Sequence, residues 1–222
     1  MFEIWGINFY GYGLLIGVGV WLAMEIAIKM NNQIDKKRFE SAMWWAIGGG
    51  ILGARVYHVV DYWQRYYSTN FEKIFYLWEG GLGIWGALLG GIIFLALYCH
   101  FNKLNFGEMA DSMIVGVPLA QTLGRVGNFI NGELYGKNGE PLFLYEGVLN
   151  LFLFGLLWQV AKKTKGQGRV VGSYLFGYGV IRMILENLRP ENSIWKFNGV
   201  PVAVIFGGLA TLVGFFLVFR KK

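Results

Sequence analysis

Seven apolar stretches constrain this chain more than any other feature of its sequence, because each is close to the roughly 20 residues that a helix needs to cross a bilayer. The chain is 55% hydrophobic and only 15% charged, whereas a soluble domain usually carries about 25% charged residues. The sequence therefore predicts an all-α membrane protein of about seven transmembrane helices, built as a single integral domain over residues 1–222. The predicted spans are 9–28, 41–60, 80–99, 109–129, 143–161, 170–187 and 201–219.

Lys and Arg are unevenly distributed between the two alternating sets of segments that connect these spans. One set, which includes the C-terminus, holds twelve of them, and the opposite set holds five. Cytoplasmic segments carry the excess of Lys and Arg, so the C-terminus is predicted in the cytoplasm and the N-terminus outside. Short external loops then fall at about 61–79, 131–142 and 188–200. The N-terminus has no basic region of the signal-peptide type, so the first span is predicted to be retained.

Three arginines lie inside predicted spans: Arg55, Arg125 and Arg182. All three fall in the outer half of helices that run outward. A charge inside hydrocarbon costs at least a few kcal/mol, so an intramembrane ionisable residue predicts a functional site. The planar guanidinium binds phosphate through two parallel hydrogen bonds. Their common depth favours a site for an anionic headgroup near the outer leaflet, and structural ion pairing is the alternative interpretation.

The stretch 123–136 joins an apolar run to a polar turn. It places Arg125, Asn128, Asn131 and Glu133 among four glycines. Glycines let the backbone approach a ligand or a neighbouring helix closely. The stretch therefore predicts the centre of the site, and a structural salt bridge at a helix end is the alternative.

The sixth span carries a polar stripe, in which Tyr174, Tyr178, Arg182 and Glu186 recur at intervals of four residues. That spacing puts them on one helical face, which is predicted to point into the bundle. The alternative is an Arg182–Glu186 pair satisfied on its own helix.

Three glycine pairs have the spacing that permits close helix packing in lipid: Gly13/Gly17, Gly49/Gly53 and Gly86/Gly90.

Several classes of function are excluded by what the sequence lacks. Cys99 is the one cysteine and His58 and His100 are the only histidines, so no zinc spacing and no Ser/His/Asp set is present. The net charge of +6 is carried by residues at the ends of apolar runs, with no aromatic-interleaved basic patch, so no nucleic-acid partner is expected. No cofactor or metal is expected either.

The residues resemble the signature motifs of the prolipoprotein diacylglyceryl transferase family. The central match is the stretch 124–136, with the pattern Gly-Arg-x-Gly-Asn-Phe-Ile-Asn-Gly-Glu-x-x-Gly, and the resemblance covers most of the chain. The other motifs that carry it are Phe9-Tyr10-Gly11, Gly53-Ala54-Arg55, Trp78-Glu79-Gly80-Gly81-Leu82 with Gly86, Leu144-Tyr145-Glu146, and Gly177-Tyr178-Gly179 with Arg182 and Glu186.

The resemblance implies transfer of the diacylglyceryl group of phosphatidylglycerol to the lipobox cysteine thiol of prolipoproteins, the first step of bacterial lipoprotein maturation. It implies a multi-pass protein of the bacterial plasma membrane, surrounded by membrane lipids, with its active site toward the outer leaflet. Arg125 and Arg182 are predicted to stabilise the leaving phosphate, with Asn128 and Tyr10 as further donors and Glu133 and Glu186 orienting the arginines. The remaining predicted substrate-binding residues are Arg55, Trp85, Asn131, Gly136, Tyr145, Glu146 and Tyr178.

The sequence departs from the family pattern at two positions where relatives often carry histidine. Trp85 follows the glycines of the third-span motif, and Glu140 precedes Pro141. The proton of the attacking thiol is therefore expected to pass to a carboxylate or phenol, or the neighbouring arginines alone suffice to form the thiolate. The candidate bases are Glu133, Glu146, Glu186 and Tyr178.

Two other readings of the arginines stay open at the level of sequence. In one, the protein binds or transports anionic phospholipid without catalysis, although transporters commonly show paired internal repeats and none is evident here. In the other, the arginines pair with Glu79, Glu133 and Glu186 in a purely structural subunit, and loss of one arginine damages folding.

Overall fold

The computed structural model describes residues 2–4, 7–9, 11–164 and 168–220, and it is mostly helical. These residues form eight α-helices and two short antiparallel hairpins. The helices are α1 (Gly11–Met30), α2 (Lys36–Asp61), α3 (Ile84–Phe101), α4 (Phe106–Ile114), α5 (Val117–Ile130), α6 (Leu142–Lys163), α7 (Arg169–Glu186) and α8 (Val202–Phe219). The hairpins pair β1 (Phe2–Ile4) with β2 (Ile7–Phe9) and β3 (Lys196–Phe197) with β4 (Val200–Pro201).

Four of these helices, α1, α3, α6 and α8, are long and apolar enough to cross a membrane. Much of their apolar surface is exposed within the chain, as at Phe152 of α6 and Leu212 of α8, which are 73% and 69% exposed. A soluble domain does not leave such helices uncovered, whereas lipid covers them. Two further predicted spans coincide with α2 and α7, which carry more charge. Spanning by those two helices stays a prediction.

The fourth predicted span, 109–129, was wrong as a single helix, because the chain divides there into α4 and α5. Pro118 lies at the start of α5, where its missing N–H costs no helical hydrogen bond. Val115 and Gly116 separate the two helices, and Gly116 packs on α1, where a Cβ would lie 2.6 Å from Ala23 Cα. With 14 residues, α5 is about 21 Å long, which is shorter than the hydrocarbon core of a bilayer.

The structure divides into two compact units, of which one combines Met1–Asn32 with Gly107–Lys222. In it α5 packs on α1 and on α6, and α7 packs on α6 and on α8. Its core is a cluster of buried apolar residues: Val115, Leu153, Leu157, Val170, Ile181 and Leu185. The α7–α8 contact depends on glycine, since a Cβ at Gly179 would lie 2.5 Å from Gly207 O. Here α7 and α8 meet backbone to backbone.

The other unit, Gln33–Phe106, is the pair α2 and α3 with the segment that connects them. That segment contains a π-helical turn (Trp63–Tyr67) and two 3₁₀ turns (Phe71–Phe75 and Leu77–Glu79). A Cβ at Gly53 would collide with Gly86 O and lie 2.9 Å from Gly90 Cα. The predicted role of the second and third glycine pairs is therefore confirmed. For the first pair the described residues show no such packing, since none of their atoms lies within 4 Å of a Cβ placed at Gly13 or Gly17.

Candidate active site

A short ion pair joins α5 to α6. Arg125 Nη2 donates to Glu146 Oε1 at 2.7 Å. One turn earlier on α5, the Thr122 hydroxyl donates to Gly147 O at 3.2 Å. Because residue numbers rise along α5 as they fall along α6, the helices are antiparallel and this register brings the arginine of one motif to the glutamate of another.

Two further arginines and one glutamate extend this pair into a row of five charged residues that crosses to α7. Arg182 Nη1 lies 3.8 Å from Glu146 Oε2, and Arg182 Nη2 donates to Glu186 Oε2 at 3.2 Å. Arg189 Nη1 lies 3.6 Å from the same Glu186 oxygen. Charges alternate along this arginine–glutamate row, so each carboxylate is shared by two guanidinium groups.

The carboxylates of the row are buried and its guanidinium groups are partly exposed. The Glu146 and Glu186 side chains are 2% and 3% exposed, against 24% for Arg125 and 20% for Arg182. Burial of a carboxylate is tolerated only with charged or hydrogen-bonding partners, and each of these has two arginines. The row keeps a formal charge of +1. An arrangement of this kind, with cationic donors oriented by buried carboxylates, can bind an anion of low charge.

Asn128 links the row to Glu133 in the loop after α5, and Asn131 bonds the same glutamate. Arg125 Nη1 donates to Asn128 Oδ1 at 2.8 Å, and Asn128 Nδ2 donates to Glu133 Oε2 at 3.2 Å. Asn131 Nδ2 donates to the other Glu133 oxygen at 3.4 Å. Asn128 is buried, whereas Asn131 and Glu133 are exposed. Glu133 is thus linked to Arg125 through the amide of Asn128.

The connection between α5 and α6 is fixed by backbone contacts around Gly136. Gly136 N donates to Glu140 O at 2.7 Å, and a Cβ at Gly136 would lie 3.0 Å from Leu188 O. Glu140 Oε2 accepts from Asn138 N at 2.9 Å. Hydrogen bonds from its own backbone N–H and from Asn138 hold the pKa of the Glu140 carboxyl below its usual range. A side chain at Gly136 would therefore displace the Glu140 carboxylate and crowd Leu188 O.

Arg55 lies in the other unit, where its guanidinium holds the segment between α2 and α3. Its Nε donates to Ile74 O at 2.8 Å and its Nη1 to Gly80 O at 2.6 Å. Further bonds go to the carbonyl oxygens of Lys73, Tyr76 and Gly81. A guanidinium has five N–H donors, and five carbonyls accept from this one. Arg55 therefore fixes the connecting segment, and its predicted contact with substrate stays a prediction.

Comparison with known proteins decides which family carries this arrangement. The family model described as prolipoprotein diacylglyceryl transferase matches residues 1–220. The chain belongs to the prolipoprotein diacylglyceryl transferase family. A phosphatidylglycerol–prolipoprotein diacylglyceryl transferase of Clostridioides difficile is 36% identical, over 86% of this chain and 83% of that protein. Proteins of the same name from Bordetella parapertussis and Lactobacillus acidophilus are 34% and 32% identical, over 91% and 100% of this chain and 89% of each relative.

Membership in the prolipoprotein diacylglyceryl transferase family, together with the four apolar helices, makes this a multi-pass membrane protein. Three predicted site residues are not members of the arginine–glutamate row. Tyr10 lies outside the described residues. Trp85 is half-buried on α3, in the unit that contains Arg55. Tyr145 precedes Glu146 but is 41% exposed, because successive helical residues face different directions.

Tyr178 joins the row from the polar stripe of α7, and its hydroxyl donates to Glu146 Oε1 at 3.4 Å. Its ring stacks on that of Tyr174, with centroids 5.6 Å apart and planes 5° from parallel. The stripe predicted from the four-residue spacing is therefore confirmed as one helical face. The Arg182–Glu186 pair also exists, but Arg182 additionally lies near Glu146, so the pair is not satisfied on its own helix alone.

Sequence reasoning missed Arg189 and the bridging position of Glu146. Arg189 was counted with an external loop, although its spacing of three from Glu186 is that of helical neighbours and could have indicated the contact. The bridging by Glu146 depends on the register of three helices, which no local pattern contains. Among the described residues there is no group of three or more His, Cys, Asp or Glu that could hold a metal ion.

Proposed function

We propose that this protein transfers the diacylglyceryl group of phosphatidylglycerol to the lipobox cysteine thiol of prolipoproteins. The observation that carries the proposal is the arginine–glutamate row, with its partly exposed guanidinium groups, buried carboxylates and formal charge of +1. A phosphodiester carries one negative charge, so its charge matches that of the row. Arginine suits this task because its planar fork donates two hydrogen bonds to a phosphate and stays protonated in low dielectric.

The reaction needs charge stabilisation more than any other assistance. The cysteine sulfur attacks the glycerol carbon that bears the phosphate, a C–S bond forms, and the C–O bond to the phosphate breaks. The electron pair of that bond leaves with the oxygen, so the departing glycerol phosphate gains one negative charge. Arg125 and Arg182 are already oriented by Glu146 and Glu186, and preorganised cations of this kind stabilise developing charge without reorganisation.

Glu133 is the carboxylate that suits removal of the thiol proton. Glu146 and Glu186 each lie against two arginines, so their lone pairs are engaged by cationic donors. The Tyr178 hydroxyl donates a hydrogen bond to Glu146, so its oxygen is not a free base. Glu133 accepts from two neutral amides and is exposed. Replacement by Gln keeps the shape and removes the basicity, so Glu133→Gln is expected to lower kcat far more than it changes KM.

The placement of the protein in the membrane belongs to the same proposal. In this proposal the chain is a single integral domain of the bacterial plasma membrane with seven spans, the fourth formed by α4 and α5 together, with its N-terminus outside and its C-terminus in the cytoplasm. The uneven distribution of Lys and Arg supports this orientation. In it the loop after α5 faces outward and the arginine–glutamate row lies at the depth of the outer headgroups, where exported prolipoproteins and phosphatidylglycerol meet.

The experiment that tests the function is the transfer itself. Purified protein in detergent is given phosphatidylglycerol and a lipobox peptide, and the mass of the peptide is measured. A diacylglyceryl mass gain is expected with the native protein and with Arg38→Ala, whose arginine is exposed at the start of α2. None is expected with Arg125→Ala, provided that this variant elutes as a folded monodisperse species.

Two outcomes contradict the proposal. Aggregation or degradation of Arg125→Ala, with Arg38→Ala intact, favours the purely structural role for the arginines. No mass gain with the native protein, combined with Arg125-dependent retention of phosphatidylglycerol, favours the alternative function of anionic phospholipid binding or transport. At Trp85 and Glu140 the chain departs from the family pattern, which often has histidine at these positions. The experiment therefore also measures lipid binding without transfer.

A further inference from the structure

A second polar layer lies one helical turn from the arginine–glutamate row, on the side away from the loop after α5. Gln121 precedes Arg125 by four residues on α5, Asn150 follows Glu146 by four on α6, and Tyr174 precedes Tyr178 by four on α7. Residues four apart share a helical face. The antiparallel register that pairs Arg125 with Glu146 therefore brings Gln121 opposite Asn150.

The three side chains of this amide–phenol layer are uncharged and only partly satisfied. Gln121 Nε2 donates to the Tyr174 hydroxyl at 2.9 Å. Asn150 is 0% exposed, and neither its Nδ2 nor its Oδ1 has a hydrogen-bond partner among the described residues. The same holds for Gln121 Oε1. Buried polar groups are nearly always hydrogen-bonded, so an amide with two such atoms points to a ligand.

On the side of the layer away from the arginine–glutamate row, the bundle is apolar. This limits the kind of ligand that fits. Leu153 and Leu157 follow Asn150 on α6 and belong to the buried core cluster, against which Tyr174 also packs. A charged ligand would be costly so close to this core. A neutral oxygen, which needs one donor and no counter-ion, matches the Asn150 amide.

We propose that the amide–phenol layer is a subsite for an acyl ester of the lipid, with Asn150 Nδ2 donating to the ester carbonyl. This inference rests on the proposed function, because it takes the phosphate to lie at the arginine–glutamate row. In a glycerophospholipid the esters are attached to the same glycerol as the phosphate, a few bonds away. Four residues of helix correspond to about 6 Å, which is the separation that such a ligand requires. In the proposed orientation the layer is also deeper than the row, as the esters are deeper than the phosphate.

Enclosure of Asn150 means that side chains must move for the ester to enter. The subsite therefore contributes to recognition after the headgroup has bound, and its effect is expected in discrimination between lipids. An ether-linked phosphatidylglycerol, which has the same headgroup and chains but no ester carbonyls, is the probe that isolates it.

The test compares kcat/KM for diester and diether phosphatidylglycerol in native protein and in Asn150→Leu. A neutral hydrogen bond corresponds to about a fivefold preference, so the native protein is expected to favour the diester by about that factor. Asn150→Leu is expected to show a ratio near one. The matched control is Asn192→Leu, at an exposed position in the short 3₁₀ turn Glu191–Ser193, which is expected to keep the native ratio.

The outcomes separate this inference from the proposed function. If the native protein transfers the lipid and Asn150→Leu keeps the same preference for the diester, the subsite is overturned but the proposed function stands. A bound water then accounts for the unpaired atoms of the layer. If neither lipid supports transfer, the same ratio is read from dissociation constants, and its loss in Asn150→Leu still supports ester binding. Should Asn150→Leu fail to fold, Gln121→Met removes the amide from the facing helix and is expected to reduce the same ratio.

Discussion

Replacement of Glu146 by glutamine tests the logic of the site most directly. Glutamine keeps the shape of the side chain and one acceptor oxygen, but removes the negative charge that lies between Arg125 and Arg182. The formal charge of the arginine–glutamate row then rises from +1 to +2. Breaking a buried ion pair costs about 3–5 kcal/mol. Because the two guanidinium groups are 24% and 20% exposed and an acceptor is retained, we expect a loss of about 2 kcal/mol.

Glu146→Gln is expected to affect the binding of phosphatidylglycerol and the rate of the transfer step differently. An anion about 6 Å from the lost carboxylate gains about 1–3 kcal/mol at an effective dielectric of about 20–40. Phosphatidylglycerol should therefore bind at least as tightly as to the native protein. The arginines, however, lose the group that orients them, and loss of one preorganised donor typically costs about a hundredfold or more in rate. We expect kcat to fall by about ten- to a hundredfold while KM stays equal or decreases.

The assay measures lipid dissociation constants and transfer rates for native protein, Glu146→Gln and Arg125→Ala, with thermal unfolding of each. Glu191→Gln is the matched control, because Glu191 forms an exposed ion pair with Lys196 at 2.5 Å and such pairs contribute about 0–1 kcal/mol. Weaker lipid binding by Glu146→Gln, of the size seen with Arg125→Ala, would refute the reasoning. The carboxylate would then act on the substrate itself or hold the helices together.

Three further predictions follow from other contacts. Arg55→Lys replaces five guanidinium donors with three, so at least two carbonyls of the segment lose partners at about 1 kcal/mol each, and limited proteolysis between α2 and α3 should become faster. Gly179→Ala places a Cβ 2.5 Å from Gly207 O, which should cost about 1–3 kcal/mol of helix packing and lower the unfolding temperature. Glu140 has a lowered pKa, so its contribution to the stability of the loop is complete above the usual carboxyl pKa and is lost as the pH falls through the lowered value. Hydrogen exchange at Asn138 should accelerate over that acidic range in native protein and stay independent of pH, after correction for intrinsic exchange, in Glu140→Gln.

Hydropathy located most of the helices, because the length and composition of an apolar run are local properties of the sequence. Six of the seven predicted spans coincide with single helices. The break in the fourth was not foreseen, although Pro118 is visible in the sequence, since proline is tolerated at a helix start as well as at a kink. At the break Gly116 packs on Ala23, and that contact joins residues far apart in the chain.

Motif reasoning found the arginines of the site more readily than their partners. Arg125 and Arg182 are charged residues within apolar runs. Because a charge in hydrocarbon has a large free-energy cost, such residues indicate a functional site. Their shared partner, Glu146, is identified only by the register of α5, α6 and α7. The same limit applies to Arg55, which has the same sequence character as the other two but a different environment. Its five donors bond backbone carbonyls, and nothing local distinguishes a guanidinium that binds carbonyls from one that binds phosphate.

The buried glutamates explain how a cluster of arginines can favour reaction over tight binding. Three uncompensated guanidinium groups would attract any phospholipid strongly in its ground state, and binding energy spent there does not lower the barrier. Glu146 and Glu186 cancel two of the three charges, so in the proposed reaction a monoanionic phosphodiester meets a site of matching and modest charge. As the C–O bond breaks, the leaving phosphate becomes more negative while the arginines stay fixed, and the attraction increases only then. A site that partly neutralises its own arginines therefore stabilises the transition state more than the bound lipid. For this reason, removal of a carboxylate should preserve lipid binding and reduce turnover.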